Sequence, residues 1–178
     1  MKDNVHVWII MFRQVIKTLF FIIVFLFGIP ILIGSFTGVP EGKIITMISS
    51  AILFQATASP IGVGLDIQPM VILAIMLSYA IGMTLTIFEI CDTFAETSER
   101  VQKWLIKVEE KMQKMTIIHK YGVFSCIFIS WIPAIGLYGT PVIAWLFRWN
   151  RMLAAFFTVL GFFIVSVIFL LLTIGVFF

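Results

Sequence analysis

The chain has 178 residues, of which 61% are hydrophobic and only 12% charged, with a mean hydropathy of +1.14. A soluble domain is roughly half apolar, so this composition excludes an ordinary water-soluble globule. A net charge of +3, with no basic patch outside one mixed-charge stretch, excludes nucleic-acid binding. Charge-free runs cover 18–40, 44–65, 67–88, 121–147 and 152–178, each of 22 to 27 residues. A spanning helix needs about 20, and the chain reads as an all-α, multi-pass integral membrane protein forming one membrane domain.

Residues 1–17 form a short basic segment carrying Lys2, Arg13 and Lys17, in which Val7, Trp8, Ile9 and Ile10 suit the membrane interface. The apolar run after it is longer than a signal-peptide core and no A-x-A-like site follows, so it reads as a retained signal-anchor helix. This first span covers about 18–36, with Gly28 and Pro30 marking a kink. The run 44–54 comes next, only about 16 Å long as a helix, which is half a bilayer. Residues 55–66 (QATASPIGVGLD) are rich in turn formers. A clean helix returns from about Pro69 to Ile90, with proline tolerated in its first turn.

Residues 89–120 hold 12 of the 21 charged side chains. Val101, Trp104, Leu105, Val108, Met112 and Met115 recur there at helical spacing, and Thr93 with Glu96 fits a capping box. The stretch 91–120 reads as a cytoplasmic amphipathic helix on the membrane surface, with a solvated connector as the plainer alternative. The earlier arrangement then repeats: 122–132 is half a bilayer long, 133–141 is turn-like and 142–149 is a short apolar piece. A final helix occupies about 152–178.

Charge decides the topology. Lysine and arginine prefer the cytoplasmic side, and they cluster at the N-terminus, in the central stretch, and at Arg148 and Arg151. If every apolar run crossed once, the central cluster would be external. If 44–65 and 121–147 each turn back inside the membrane, all three clusters fall on one side. The predicted fold is therefore three spanning helices plus two oppositely oriented re-entrant helical hairpins, with a proline-kinked spanning helix as the plainer alternative to the hairpin at 121–147. Irregular backbone at that depth is tolerated only where protein or a polar cavity surrounds it. The units 38–90 and 121–178 are then an inverted repeat, the arrangement from which many transporters build a site at the bilayer midplane. The N-terminus is expected to be cytoplasmic and the C-terminus external, in the cell membrane.

The candidate substrate or ion pathway residues follow from that frame. Glu41 and Lys43 guard the entry to the first hairpin and Asp66 its exit; carboxylates near the membrane are functional candidates, although a cap paired with Lys43 accounts for Glu41 equally well. Pro60, Gly62 and Gly64 mark the first tip. Ser130, Pro133, Gly136, Tyr138, Gly139, Thr140 and Pro141 mark the second, where the hydroxyls either bind a ligand or satisfy freed backbone groups. Arg148 is a headgroup contact or a topological anchor. His6 and His119 have no partners at ligand spacing, so no metal or other cofactor is expected, and no nucleophile–base or paired-carboxylate arrangement points to an enzyme. Cys91 and Cys126 read as free packing residues.

The stretch HKYGVFSCIFISWIPAIGLYGTPVIAWLFRWNRMLAAFFTVLG, from His119 to Gly161, resembles the second half of the small multidrug export membrane proteins and, more distantly, the DedA/VTT superfamily. PEGK at 40–43 is similar to the acidic entry of that family's first hairpin. The resemblance covers about 38–178. It implies facing re-entrant hairpins and the movement of a small or amphipathic substrate across the membrane, with proton coupling as an option. A DedA-like lipid or lipid-phosphate flippase or scramblase is the alternative it implies. The second tip departs from the DedA pattern, because Ala134, Ile135 and Gly136 follow Pro133 where an arginine would hold a phosphate. A non-transporting membrane scaffold is the third reading. The expected partners are membrane lipid, a small-molecule or lipid substrate, and a second copy of the chain in a two-fold homo-oligomer, since three spans and two hairpins are few to enclose a pathway.

Overall fold

In the computed structural model, residues 2–97, 122–132 and 136–177 are described. The expected amphipathic helix lies almost wholly outside them, as does Pro133. Among the described residues all regular structure is helical. Four stretches are long and apolar enough to cross a membrane: Phe12–Thr37, Glu41–Gly64, Pro69–Ala95 and Arg151–Gly175.

The first stretch joins α1 (Lys2–Phe21), a π-helical segment (Ile22–Gly28) and α2 (Ile29–Thr37). Helix α1 begins at Lys2, so the basic N-terminal segment is continuous with the first spanning stretch. The π segment has a local cause. Pro30 lacks an N–H and its ring crowds the carbonyl of the preceding turn, and the wider turn immediately before it takes up the misfit. The expected kink is thus a change of helical pitch. Gly38 ends α2 at φ 72°, and Val39 N–H returns to the Gly34 carbonyl at 3.0 Å, a glycine-type helix stop.

The second stretch is not straight. It comprises α3 (Glu41–Phe54), a 3-10 turn (Gln55–Ala58) and α4 (Ser59–Gly64). A continuous helix of this length would hold its ends about 36 Å apart. Instead Lys43, near the start of α3, donates from Nζ to the Leu65 carbonyl and stands 3.9 Å from the Asp66 carboxylate. The reversal is made at Gln55, a buried residue at φ 53° and ψ −130°, a conformation that costs a non-glycine residue about 1–3 kcal/mol.

Helix α5 (Pro69–Thr97) is the central pillar. It runs seven residues beyond the expected end at Ile90. Thr93 therefore lies inside it, donating to the Glu89 carbonyl at 2.7 Å rather than capping a new helix. The first stretch lies antiparallel to α5: Lys17 meets Glu89, and Ser78 Oγ donates to the Phe25 carbonyl at 2.6 Å. A Cβ at Gly82 would strike Phe25 and Leu26, so that glycine sets how closely the two helices approach.

The remaining elements are a 3-10 turn (Gly122–Phe124), α6 (Ser125–Ile129), α7 (Gly136–Leu146) and α8 (Arg151–Phe177). This region also brings its ends together. A Cβ at Gly122 would fall 2.3 Å from the Trp149 ring, and Val123, Cys126, Ala144 and Trp149 share one buried cluster with Phe88 and Ala154. Helix α8 runs antiparallel to α5, with Arg151 beside Glu89 and Asp92 and the Phe162 ring 6.1 Å from that of Tyr79. A larger core joins Ile44, Met47, Ile72, Ile75, Met76, Tyr79 and Phe162. Phe20, Leu32, Phe36, Leu53, Phe156 and Leu171 point outward and are exposed. That apolar exterior suits lipid, in keeping with a multi-pass membrane protein.

Candidate functional site

The two broken regions meet. Oε1 of Gln55 accepts from the Leu137 backbone N–H at 3.3 Å, tying the 3-10 turn of 41–64 to the first turn of α7. Beside it Tyr138 Oη donates to the Ile52 carbonyl at 2.6 Å and lies 2.6 Å from Tyr79 Oη. One phenol thus bridges α3, α5 and α7. Tyr79 is ten residues from Pro69 and ten from Glu89, so the junction lies about 15 Å along α5 from each. Gln55, Tyr79 and Leu137 are all buried.

Most of the predicted tip residues that are described lie in helices beside the breaks. Pro60, Gly62 and Gly64 belong to α4, with Pro60 in its first turn. Gly136, Tyr138, Gly139, Thr140 and Pro141 belong to α7. Ser130 is in the break itself, donating from Oγ to the Ile127 carbonyl at 2.7 Å, and Thr140 Oγ1 donates to the Gly136 carbonyl. Both hydroxyls donate to carbonyls of the preceding turn.

Of the tip glycines, Gly62 and Gly136 serve close approach. Gly38 is the only glycine at positive φ among the described residues. A Cβ at Gly62 would meet Ile72 and the Met47 sulfur, and one at Gly136 would meet the Ser130 carbonyl at 2.3 Å.

Glu41 opens α3 and is exposed, where a carboxylate complements the helix dipole. It does not reach the junction. Lys43 pairs with Asp66 rather than with Glu41. Asp66 and Arg148 hold equivalent posts. Each has positive φ, at 55° and 50°, three residues before the long helix α5 or α8. Each is spanned by a bond from the following residue to a carbonyl five back: Ile67 to Gly62 at 3.1 Å and Trp149 to Ala144 at 3.0 Å. Both are Schellman-type stops written without glycine.

A second polar group, largely outside the predicted set, sits at the Lys17 end of α5. Arg151 bonds Glu89 at 2.7 Å and Asp92 at 2.8 Å. Trp145 Nε1 donates to the other Asp92 oxygen at 2.8 Å, Lys17 lies 3.9 Å from Glu89, and the Arg151 guanidinium sits 5.3 Å from the Phe88 ring centre. The Glu89 side chain is only 8% exposed. Phe88, Asp92, Trp145 and Arg151 border a cavity of about 340 Å³, which Arg148 and Trp149 also line. Glu89 and Asp92 belong to the charged stretch 89–120 and are not among the predicted site residues. Their one-turn spacing on a helix, opposite Lys17 and Arg151, was the available signal. No cluster of three metal-ligating side chains occurs among the described residues.

No protein-family model, curated protein or solved structure matches the chain.

Proposed function

We propose that the chain is a membrane transporter of the small multidrug export type, moving a small or amphipathic substrate. On this reading, 41–66 and 122–149 are re-entrant hairpins entering from opposite faces, and each forms with its following helix one half of an inverted repeat. The observation that carries the proposal is the junction of Gln55, Leu137, Tyr138 and Tyr79, where two breaks in helical backbone face each other beside Tyr79, about 15 Å along α5 from both Pro69 and Glu89. Broken backbone at membrane depth marks substrate pathways. The matched helix stops at Asp66 and Arg148 support the repeat. Basic residues place Lys17, Arg148 and Arg151 on the cytoplasmic side, with Lys43 and Asp66 outside. A two-fold homodimer encloses the pathway.

Purified protein reconstituted in liposomes tests this: efflux of cationic dyes under an imposed pH gradient is measured beside flipping of labelled lipids. Dye efflux above that of empty liposomes is the expected result. Lipid flipping alone would replace the proposal with a scramblase, and neither activity would leave a scaffold.

A further inference from the structure

We infer that Arg151, held between Glu89 and Asp92, is a latch that closes the pathway on the Lys17 side; the inference rests on the transport reading above. The cluster is placed for this and spans more elements than one pairing needs. Arg151 starts α8, Glu89 and Asp92 lie near the end of α5, Trp145 ends the return leg α7, and Lys17 belongs to α1. Four elements that would have to separate for a path to open are thus tied through one guanidinium and two carboxylates. The two carboxylates are three residues apart, one helical turn, so a single planar guanidinium reaches both with different nitrogens. The cavity of about 340 Å³ directly beside the cluster is bounded by Trp145, Arg148 and Trp149, while the junction at Tyr138 is one to two turns deeper along α7. Between them Thr140 is fully buried. The molecule thus shows a cavity with the Arg151–Asp92 ion pair at its rim and a buried hydroxyl further along α7. Arg151 ties the start of α8 to both carboxylates of α5, whereas α7 reaches the same end of α5 separately, through Trp145 and Asp92.

The test is side-resolved thiol chemistry. Cys91 and Cys126 are replaced by alanine, and Thr140→Cys is introduced as a reporter. Reaction with a membrane-impermeant maleimide is timed in vesicles of both orientations, with Arg151 intact or changed to Gln. The latch predicts that Arg151→Gln raises the rate at least tenfold from the Arg151 side and leaves it unchanged from the other. Arg151→Lys, which keeps the charge but not the double reach, should fall between. If Arg151→Gln does not insert, Asp92→Asn is measured by the same criterion. An unchanged rate in a folded variant overturns the latch, and so does a rise from both faces, which means general loosening. The readout needs no substrate. A missing efflux signal with one-sided exposure therefore removes the transport reading and leaves the latch, whereas dye efflux without one-sided exposure removes the latch alone.

Discussion

Gln55 and Leu137 stand 82 residues apart and are joined by a hydrogen bond of 3.3 Å between the Gln55 side-chain oxygen and the Leu137 N–H. The bond does two things for the fold. It gives a partner to a buried N–H in the first turn of α7, where a helix has none of its own, and it holds Gln55 in a backbone conformation that costs energy.

Gln55→Ala should therefore destabilise the protein by about 1–3 kcal/mol, the cost of leaving a buried donor unpaired. Gln55→Gly removes the same bond but suits φ 53°, so it should unfold above Gln55→Ala. Thermal unfolding in detergent ranks the two, and Gln55→Gly falling below Gln55→Ala would mean that the backbone strain is immaterial.

Tyr138 and Tyr79 should not be equivalent. Tyr138→Phe removes the bridge to both Ile52 and Tyr79, whereas Tyr79→Phe leaves Tyr138 bonded to the Ile52 carbonyl. The expected loss is about 1–2 kcal/mol for Tyr138→Phe and less for Tyr79→Phe. Under the proposed function the same order should appear in dye efflux, measured as initial rate at equal protein per liposome.

The pair Lys43–Asp66 is exposed on the Asp66 side, whose side chain is 93% accessible, and such pairs contribute about 0–1 kcal/mol. Asp66→Asn should change the unfolding temperature little. Asp66→Gly should raise it slightly, because glycine occupies the left-handed stop freely. A marked drop on Asp66→Gly would show that the ion pair outweighs the backbone.

Gly161 lies where α8 crosses the second broken region, and a Cβ there would meet Ser130 Oγ and the Ile127 carbonyl. Gly161→Ala should cost about 1–3 kcal/mol through overpacking. Gly175→Ala is the control, since nothing lies within 4 Å of its Cβ position.

Much of this was written in the chain. The charge-free runs locate the helices because lipid excludes charge, and 44–54 is too short to cross alone, which signals a break near residue 55. The turn-rich stretch 55–66 begins at the reversal, but Pro60, Gly62 and Gly64 within it are helical. Pro60 starts α4, and Gly62 packs against Ile72. The true reversal residue, Gln55, is invisible to such reasoning: glutamine has no preference for φ 53°, and its support comes from Leu137, far away in sequence. Glu89 was equally hidden, since its burial depends on α1 and α8 closing over α5.

The claim that 41–66 enters and leaves by one face is tested most directly by labelling from known sides. Gly42 and Gly64 are exposed, and a side chain at either meets nothing within 4 Å; Met152 is exposed near Arg151. In the cysteine-free background each is changed in turn to Cys and probed with an impermeant maleimide in vesicles of both orientations. The account predicts that Gly42→Cys and Gly64→Cys label from the same face and Met152→Cys from the opposite one. Labelling of Gly42→Cys and Gly64→Cys from opposite faces would contradict it.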